Sequence, residues 1–301
     1  MELAMIGLGR MGANMAQRLL RGGHRVVGYD PQDAARKSIE QKGGDSAASL
    51  EALVAKLKAP RIVWLMLPAG EVTDSTITAL TPLLAAGDTI IDGGNSNYRD
   101  TQRRARTVAA RRIHYVDSGT SGGVWGLAEG YSLMIGGEEE AVEHLRPIFE
   151  TLAPAPNRGW GRVGAVGSGH YTKMVHNGIE YGLMQAYAEG FSILKHKSEF
   201  DLDLHQIAEI WRYGSVVRSW LLELTADALA KNPTLHGIAP YVADSGEGRW
   251  TAAEAIELGV PAFVIAASLF GRFGSQDSDS FSDKLLAAMR NQFGGHAVKT
   301  E

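Results

Sequence analysis

Five polar residues recur at helical spacing in one segment of the chain, and their side chains are of the kinds that carry out acid–base chemistry. Placed at positions i, i+3, i+4, i+7 and i+8, they share one face of a helix. A stripe that packed into a core would be apolar at these offsets. An amine and a carboxyl group two turns apart can accept and donate protons at opposite ends of one small substrate. The five residues are Lys173, His176, Asn177, Glu180 and Tyr181.

These residues also have explanations without chemistry. Lys173 and Glu180 would be a solvated pair if the helix were exposed. A single histidine such as His176 is commonly a hydrogen-bonded structural residue. The spacing alone leaves these alternatives open.

A glycine-rich turn near the start of the chain is the second motif. The segment Gly7-Leu8-Gly9-Arg10-Met11-Gly12 follows an apolar strand and opens a helix. In that context the first glycine permits a tight turn, the second lets the backbone approach a pyrophosphate, and the third lets helix pack on strand. Asp30 ends the second strand at about the 20-residue distance where an acid bonds ribose hydroxyls. A nicotinamide dinucleotide is therefore the expected cofactor.

The residues around Asp30 favour NAD over NADP. Its carboxylate would repel a 2′-phosphate, and Pro31-Gln32 supplies no cation beside it. Arg36 and Lys37 keep NADP open as the less favoured cofactor, and a flavin would use the same glycine motif. An exposed acid next to an ordinary tight turn is the alternative without a cofactor.

Composition bounds the class of protein. The chain has 301 residues, 45% hydrophobic and 21% charged, which is enough for two domains. A net charge of -4 with scattered basic residues argues against nucleic-acid binding. No cysteine is present, so disulfides, thiolate nucleophiles and cysteine zinc sites are excluded, and we expect no metal. The longest apolar run, Ala262 to Phe270, is too short to span a membrane, and no leader is apparent, so the expected location is cytoplasmic.

The order of apolar runs predicts the fold class. In the first half they alternate with helical patterns, which indicates βαβ units and a mostly parallel sheet. Beyond the segment Pro154 to Gly159 and the glycine-rich stretch to Gly169, strand signals cease, and helical patterns continue to about Asn291. Ser168 is the expected N-cap of a long helix ending near Lys197. The predicted strands are Leu3 to Ile6, Arg25 to Tyr29, Ile62 to Leu67, Thr89 to Asp92, His114 to Asp117 and Leu133 to Ile135.

We therefore expect an α/β Rossmann-type N-terminal domain followed by an all-α C-terminal domain. The dinucleotide-binding domain covers 1–165, the helical substrate and oligomerisation domain covers 166–289, and a C-terminal tail covers 290–301. Its final segment, Gly294 to Glu301, has no periodicity and would fray unless something held it.

Two further turns follow predicted strand ends, where open α/β sheets bind ligands. They are Asp92-Gly93-Gly94-Asn95-Ser96 and Ser118-Gly119-Thr120-Ser121-Gly122-Gly123. Their glycines can present N–H groups to a carboxylate, and Asn95 and Ser121 add side-chain hydrogen bonds. Either turn alone would also suit an ordinary loop.

Taken together, these motifs resemble one family. The chain is similar over nearly its whole length to the decarboxylating 6-phosphogluconate dehydrogenases, in particular their short NAD-preferring form, among the β-hydroxyacid dehydrogenases. The segment Lys173 to Tyr181 is the most specific part of the resemblance. The resemblance also rests on Gly7 to Asn14, Asp92 to Ser96, Ser121 to Gly123, Gly248-Arg249-Trp250-Thr251, Phe270-Gly271-Arg272, Arg290 and His296.

The resemblance implies a reaction. Lys173 would take the proton of the C3 hydroxyl while hydride passes to the nicotinamide, giving a 3-keto acid that loses CO2. Glu180, holding a proton, would then protonate the enediol at C1 to give ribulose 5-phosphate. Lys173 must begin neutral, so burial and nearby cations should lower its pKa.

The resemblance also implies the binding residues. Cofactor contacts are expected from Gly7, Gly9, Arg10, Met11, Gly12, Asp30, Leu67 and Asn95. Substrate contacts are expected from Asn95, Ser121, Gly122, Gly123, His176, Asn177, Tyr181, Arg272, Arg290 and His296, with Tyr181, Arg272 and Arg290 on the phosphate.

Two departures from the long forms bear on the phosphate and on assembly. Ser245 and Glu247 stand where long forms have a lysine and a threonine for the phosphate, so Arg249 is a candidate helper. The helical half is also shorter, which implies that a second subunit completes the bundle. We expect a homodimer or homotetramer in which the tail docks on the neighbouring subunit.

Two other functions remain alternatives. A dehydrogenase of an unphosphorylated 3-hydroxy acid, such as 3-hydroxyisobutyrate, would share the lysine and the glycine-serine loop. A catalytically silent NAD-sensing module would keep the cofactor end alone, and the lysine and glutamate on one helix face argue against it.

Overall fold

The computed structural model describes residues 1–299, without the side chain of Phe293. The chain divides into two compact units, Met1–His176 and a second unit that begins at Asn177. Thr300 and Glu301, the end of the predicted tail, lie outside the described residues.

The first unit is built on one eight-stranded sheet, in the order β3-β2-β1-β4-β5-β6-β7-β8. All neighbouring strands are parallel except β6 and β7, which are antiparallel. The Rossmann-type prediction is confirmed, and all six predicted strands are present. The strands are β1 Glu2–Ile6, β2 Arg25–Tyr29, β3 Asp45–Ser46, β4 Ile62–Leu65, β5 Thr89–Asp92, β6 His114–Ser121, β7 Ser132–Gly136 and β8 Trp160–Gly164.

Two strands were missed, β3 and β8, and β8 lies in the glycine-rich stretch before Gly169. β3 has only two residues and pairs with β2 alone. β8 reads Trp-Gly-Arg-Val-Gly, so it shows no apolar alternation, and it lies at the other edge of the sheet. An edge strand pairs on one side only, so it needs less apolar patterning than a central one.

Helices cover both faces of the sheet because its strands are apolar on both sides. Leu3 and Met5 of β1 belong to one buried cluster, whereas Ala4 and Ile6 belong to the other. The helices of this unit are α1 Arg10–Arg21, α2 Asp33–Gln41, α3 Leu50–Ala55, α4 Glu71–Leu80, α5 Tyr98–Ala109, α6 Gly126–Glu129, α7 Glu139–His144 and α8 Arg146–Leu152.

The second unit is helical, as predicted. Helix α9, Ser168–His196, starts in the first unit and continues into this one, close to the predicted length. A small apolar cluster around Phe191 and Leu222 forms the core of the unit. The remaining helices are α10 Leu204–Arg212, α11 Trp220–Lys231, α12 Glu247–Leu258, α13 Phe263–Gln276 and α14 Phe281–Gly294. Among the described residues, no helix combines the length and apolarity that a membrane crossing requires.

The start of α9 is fixed by a buried carboxylate and not by the predicted cap. Ser168 already lies in the helix, and its buried Oγ has no hydrogen-bond partner among the described residues. Asp117 of β6 instead accepts the backbone N–H groups of Gly167, at 2.7 Å, and His170, at 2.8 Å. A carboxylate at a helix N-terminus satisfies orphan donors and complements the helix dipole. The residue that caps α9 is therefore about 50 positions away in sequence, which local capping rules do not detect.

Asp117→Ala should lower the free energy of unfolding by about 1–3 kcal/mol, because two buried N–H groups lose their acceptor. Burial raises the pKa of Asp117, so relief of that desolvation offsets part of the loss. Urea unfolding measures the change. Asp100→Ala is the control, since Asp100 is half exposed and bonds Arg103 on the surface; its expected change is within about 0.5 kcal/mol. Equal losses in both variants would contradict this role of Asp117.

Candidate active site

The turn between β1 and α1 has the geometry of a pyrophosphate cradle. A Cβ on Gly12 would overlap the carbonyl oxygen of Gly7, so glycine is required for α1 to pack this closely. Gly7 itself has φ +88°, which only glycine adopts readily. In contrast, a Cβ on Gly9 would meet no atom within 4 Å. The N-cap residue of α1 is Gly9, which has no side chain to cap the first turn, so the N–H groups of that turn can face a ligand phosphate.

Asp30 is held at the edge of this turn. Its carboxylate accepts the backbone N–H of Leu8 and of Gln32, each at 2.9 Å. The guanidinium of Arg36 donates to the carbonyl oxygen of Asp30 at 2.7 Å and to Asp33 at 3.0 Å. Lys37 also pairs with Asp33, at 2.7 Å. Arg36 and Lys37, the two cations that left NADP as an alternative cofactor, thus both form ion pairs with Asp33.

The loops after β4 and β5 meet beside the glycine turn. A Cβ on Gly94 would lie 2.6 Å from the carbonyl oxygen of Leu67, so the two loops touch. The structure therefore brings Leu67 next to the segment that carries Asn95, and Asn95 is exposed. Asp92 and Ser96, at the two ends of the loop that carries Asn95, are both buried. The Ser96 hydroxyl donates a hydrogen bond to the Asp92 carboxylate at 3.1 Å.

The Ser121-Gly122-Gly123 loop ends β6 and leads into a short 3₁₀ helix, Gly123–Trp125. Gly122 has φ +133° and Gly123 has φ +51°, so both positions favour glycine. A β-carbon on Gly122 would also come within 3.2 Å of Tyr131. The loop thus presents backbone at a strand end where a side chain would not fit.

Lys173 is buried in the first unit and is not a solvated surface lysine. Its side chain lies on α9 with only 6% exposure, and its Nζ is 3.3 Å from Nδ1 of His176. A Cβ on Gly119 of β6 would lie 2.5 Å from the Cβ of Lys173, so this glycine admits the lysine against the strand. An amine taken out of water in this way favours its neutral form.

In the second unit, Tyr181 and Arg272 are brought together. The guanidinium carbon of Arg272 lies 3.4 Å from the centroid of the Tyr181 ring, a cation–π contact. The Tyr181 hydroxyl is 3.3 Å from both Asp244 and Ser245. Glu247, a concern for phosphate binding, is buried and accepts a hydrogen bond from Ser245.

The Gly248-Arg249-Trp250-Thr251 segment packs directly on α9. A Cβ on Gly248 would lie 2.5 Å from the Tyr181 ring, and one on Gly178 would lie 2.7 Å from Thr251. Arg249 is paired with Asp244. Burial raises the pKa of Asp244, but hydrogen bonds from Arg249 and from the Gly246 amide outweigh it and lower the pKa overall.

Asp244 was missed from the sequence, where nothing in its spacing marks it. It joins Tyr181 to Arg249 only because the loop before α12 folds back on α9. Of the tail residues, Arg290 lies on α14 and His296 follows it, and both are exposed. Glu180 is half-buried on α9, and Asn177 is buried.

Fold and site together define a class of protein: a nicotinamide-dinucleotide-dependent dehydrogenase with a helical second domain that begins on a long lysine-bearing helix. Residues 2–167 match the NAD binding domain of 6-phosphogluconate dehydrogenase, and residues 169–284 match the C-terminal domain of the same family. The chain therefore belongs to the 6-phosphogluconate dehydrogenase family.

Individual relatives agree with this assignment. The chain is 44% identical to the NAD(+)-dependent, decarboxylating 6-phosphogluconate dehydrogenase of Haloferax volcanii, covering 99% of this chain and 98% of that protein. The structure of Plasmodium falciparum 6-phosphogluconate dehydrogenase matches with a TM-score of 0.85 at 30% identity, covering this whole chain and 66% of that one. Mycobacterium tuberculosis 3-hydroxyisobutyrate dehydrogenase, at 23% identity, TM-score 0.74 and coverages of 96% and 99%, shares the fold.

Alanine at the two glycines of the turn should separate NAD binding from stability. Gly9→Ala has room for its methyl group, so the melting temperature should hold while NAD affinity falls at least tenfold, because the methyl group would meet the pyrophosphate. Gly12→Ala overlaps backbone and should lower the free energy of unfolding by about 1–3 kcal/mol. Thermal unfolding and calorimetric NAD titration measure both. Unchanged NAD affinity in Gly9→Ala would contradict the cradle.

Proposed function

We propose that the chain oxidises and decarboxylates 6-phosphogluconate to ribulose 5-phosphate and CO2, with NAD as the hydride acceptor. The observation that carries this proposal is the buried Lys173, which lies on the helix face that also bears Glu180 and Tyr181. The 44% identity to an enzyme named for this NAD-dependent reaction supports it.

Lys173 acts first, as a base. Burial favours the neutral amine, which accepts the proton of the C3 hydroxyl. NAD held at the glycine turn and Asp30 would supply the acceptor for the hydride that leaves C3. The substrate becomes a 3-keto acid. Lys173 is then an ammonium group that donates a hydrogen bond to the new carbonyl oxygen, where negative charge develops in the next step. His176 at 3.3 Å orients the amine.

Loss of CO2 follows because the ketone can accept electrons. The C1–C2 bond breaks, its electron pair moves towards the C3 carbonyl, and Lys173 returns its proton to the oxygen that becomes an enediol hydroxyl. Glu180 then donates a proton to the former C2, which is C1 of the product, while the neutral Lys173 takes up the proton of the enediol hydroxyl on the former C3, and the ketose forms. Asn95, Asn177 and the Ser121-Gly122-Gly123 loop hold the sugar acid and its carboxylate in these steps.

Tyr181 and Arg272 bind the phosphate in this proposal. Their stacked contact holds the guanidinium in one orientation, and an oriented guanidinium can bond a phosphate with two N–H groups. A carboxylate beside a phosphate would weaken its binding, but the carboxylate of Glu247 is buried and accepts a hydrogen bond from Ser245. Arg249 is tied to Asp244 and is the weaker candidate.

We further propose that a homodimer or homotetramer completes the site. Large apolar side chains of the second unit are strongly exposed, including Val216 at 99% and Phe263 at 83%, and surfaces of this kind mark subunit interfaces. The exposed Arg290 and His296 would reach the phosphate of a neighbouring subunit. We keep the domain bounds 1–165 and 166–289, the tail 290–301, and a cytoplasmic location, which suits a chain without cysteine.

The direct test incubates the protein with NAD and 6-phosphogluconate, follows NADH by absorbance and traps CO2. One NADH should form per CO2. Lys173→Met should lower kcat at least a thousandfold, since it removes the base, while Lys195→Met, an exposed lysine on the same helix, should stay within about twofold of the parent.

Arg272→Ala addresses the phosphate separately. It should raise KM for 6-phosphogluconate by roughly 10- to 100-fold, the equivalent of one lost charged hydrogen bond or two, and leave turnover of gluconate nearly unchanged. Equal effects on both acids would contradict phosphate binding by Arg272. NADH formation with 3-hydroxyisobutyrate but not with 6-phosphogluconate would overturn the proposed function.

Truncation after Asn291 tests the tail. The shortened chain should keep its melting temperature, because residues 294–299 are exposed. It should lose most of its activity with 6-phosphogluconate, because His296 is gone. Sedimentation of the truncated chain checks that assembly is intact. An unimpaired truncated enzyme would refute the docking of the tail on a neighbouring site.

A further inference from the structure

A buried arginine that the proposed mechanism does not use joins two of the loops of the first unit. Arg104 lies on α5 with 2% exposure. Its Nη1 donates to Asp92 at 3.2 Å and to Ser96 at 2.8 Å, both in the loop after β5. Its Nε donates to Asp74 of α4 at 2.7 Å, and its Nη2 donates to the carbonyl oxygen of Gly70 at 3.2 Å. One guanidinium therefore bonds both the loop after β4, at Gly70, and the loop after β5, at Ser96.

We propose that Arg104 is a positioning residue that sets the spacing between the loop carrying Leu67 and the loop carrying Asn95. The loops touch where Gly94 meets the Leu67 carbonyl oxygen, with 2.6 Å to a Cβ placed there. A shift of either loop at its far end therefore moves Leu67 and Asn95 relative to each other. The inference rests on the proposed function, in which these two residues contact the cofactor.

Charge explains why the arginine stays in place. Asp92 is buried and also accepts the hydroxyl of Tyr115 at 2.9 Å. Burial and the neighbouring Asp92 charge raise the pKa of Tyr115 well above its ordinary value, so the phenol remains a donor. A carboxylate in such a place needs a cation or several donors. Arg104 supplies the cation, and Asp74 gives it a second carboxylate.

Only a planar fork can reach all four acceptors. The guanidinium presents N–H groups in fixed directions on two sides, towards Asp92 and Ser96 on one and towards Asp74 and Gly70 on the other. A lysine ammonium keeps the charge but is a point donor on a flexible chain. A lysine at this position could donate hydrogen bonds to the acceptors on one side, but it would lose those on the other.

Arg104→Lys separates this role from charge. It should lower kcat/KM for NAD roughly 10- to 100-fold, the size expected for misplacement of about 1 Å, weaken NAD binding in calorimetry, and enlarge the deuterium isotope effect with 6-phosphogluconate deuterated at C3. Arg103→Lys is the matched control. Arg103 is next in the chain and also bonds Asp74, but it lies half exposed. It should stay within about twofold of the parent.

A purely structural role would give a different pattern. If Arg104→Lys only lowered the folded fraction of the protein, the apparent kcat would fall while KM, NAD affinity and the isotope effect stayed unchanged. That result would overturn the proposal, as would kinetics equal to those of the parent. Should Arg104→Lys fail to fold, Ser96→Ala removes the 2.8 Å bond from Arg104, together with the 3.1 Å bond from Ser96 to Asp92, and leaves the other bonds of Arg104 in place. It should move the same three quantities by severalfold; no movement in them would overturn the proposal.

Asn95→Ala, measured in parallel, distinguishes the two levels of inference. If Asn95→Ala leaves NAD and substrate kinetics unchanged, the site assignment fails. If Asn95→Ala is impaired while Arg104→Lys and Ser96→Ala are not, the site assignment stands and the positioning role of Arg104 fails.

Discussion

The hydrogen bonds from the first turn of α9 to the carboxylate of Asp117 are the interaction on which the rest of the site depends. They join the end of the Rossmann sheet to the helix that carries Lys173. The imidazole of His170 adds a bond to Thr101 of α5 at 2.7 Å, so sheet and helix layer hold α9 from two sides. A base on a helix anchored in this way keeps its position, which proton transfer requires.

The same α5 helix also serves the loops of the cofactor end. Thr101 and Arg104 are three residues apart, so they lie on one face and both are buried. Thr101 reaches the start of α9, while Arg104 reaches the loops after β4 and β5. The polar groups buried at the carboxyl ends of the strands are therefore one connected framework. Open α/β sheets bind ligands at these ends. Here the buried side chains of Thr101 and Arg104 hold the loops and the helix that lie at those ends.

Structural elements that depend on local spacing could be predicted from the sequence. The glycine turn, the strand ends and the five-residue face of α9 were all readable, because periodicity and turn chemistry are local. The sequence was insufficient for Asp117, Arg104 and Asp244, whose partners are distant in sequence. A sequence alone does not show whether an aspartate or arginine is solvated or bonded to a distant residue. β8 was missed for another reason, because an edge strand needs no apolar alternation.

The second unit, finally, has few fully buried apolar side chains around Phe191 and Leu222 and many uncovered ones. In the proposed dimer or tetramer these helices would gain stability from subunit association, so a newly made chain at low concentration would be at its least stable. Exposed apolar side chains such as Val216 would then promote non-specific aggregation. The first unit, in contrast, has two buried apolar clusters of its own, so its core is formed within a single chain.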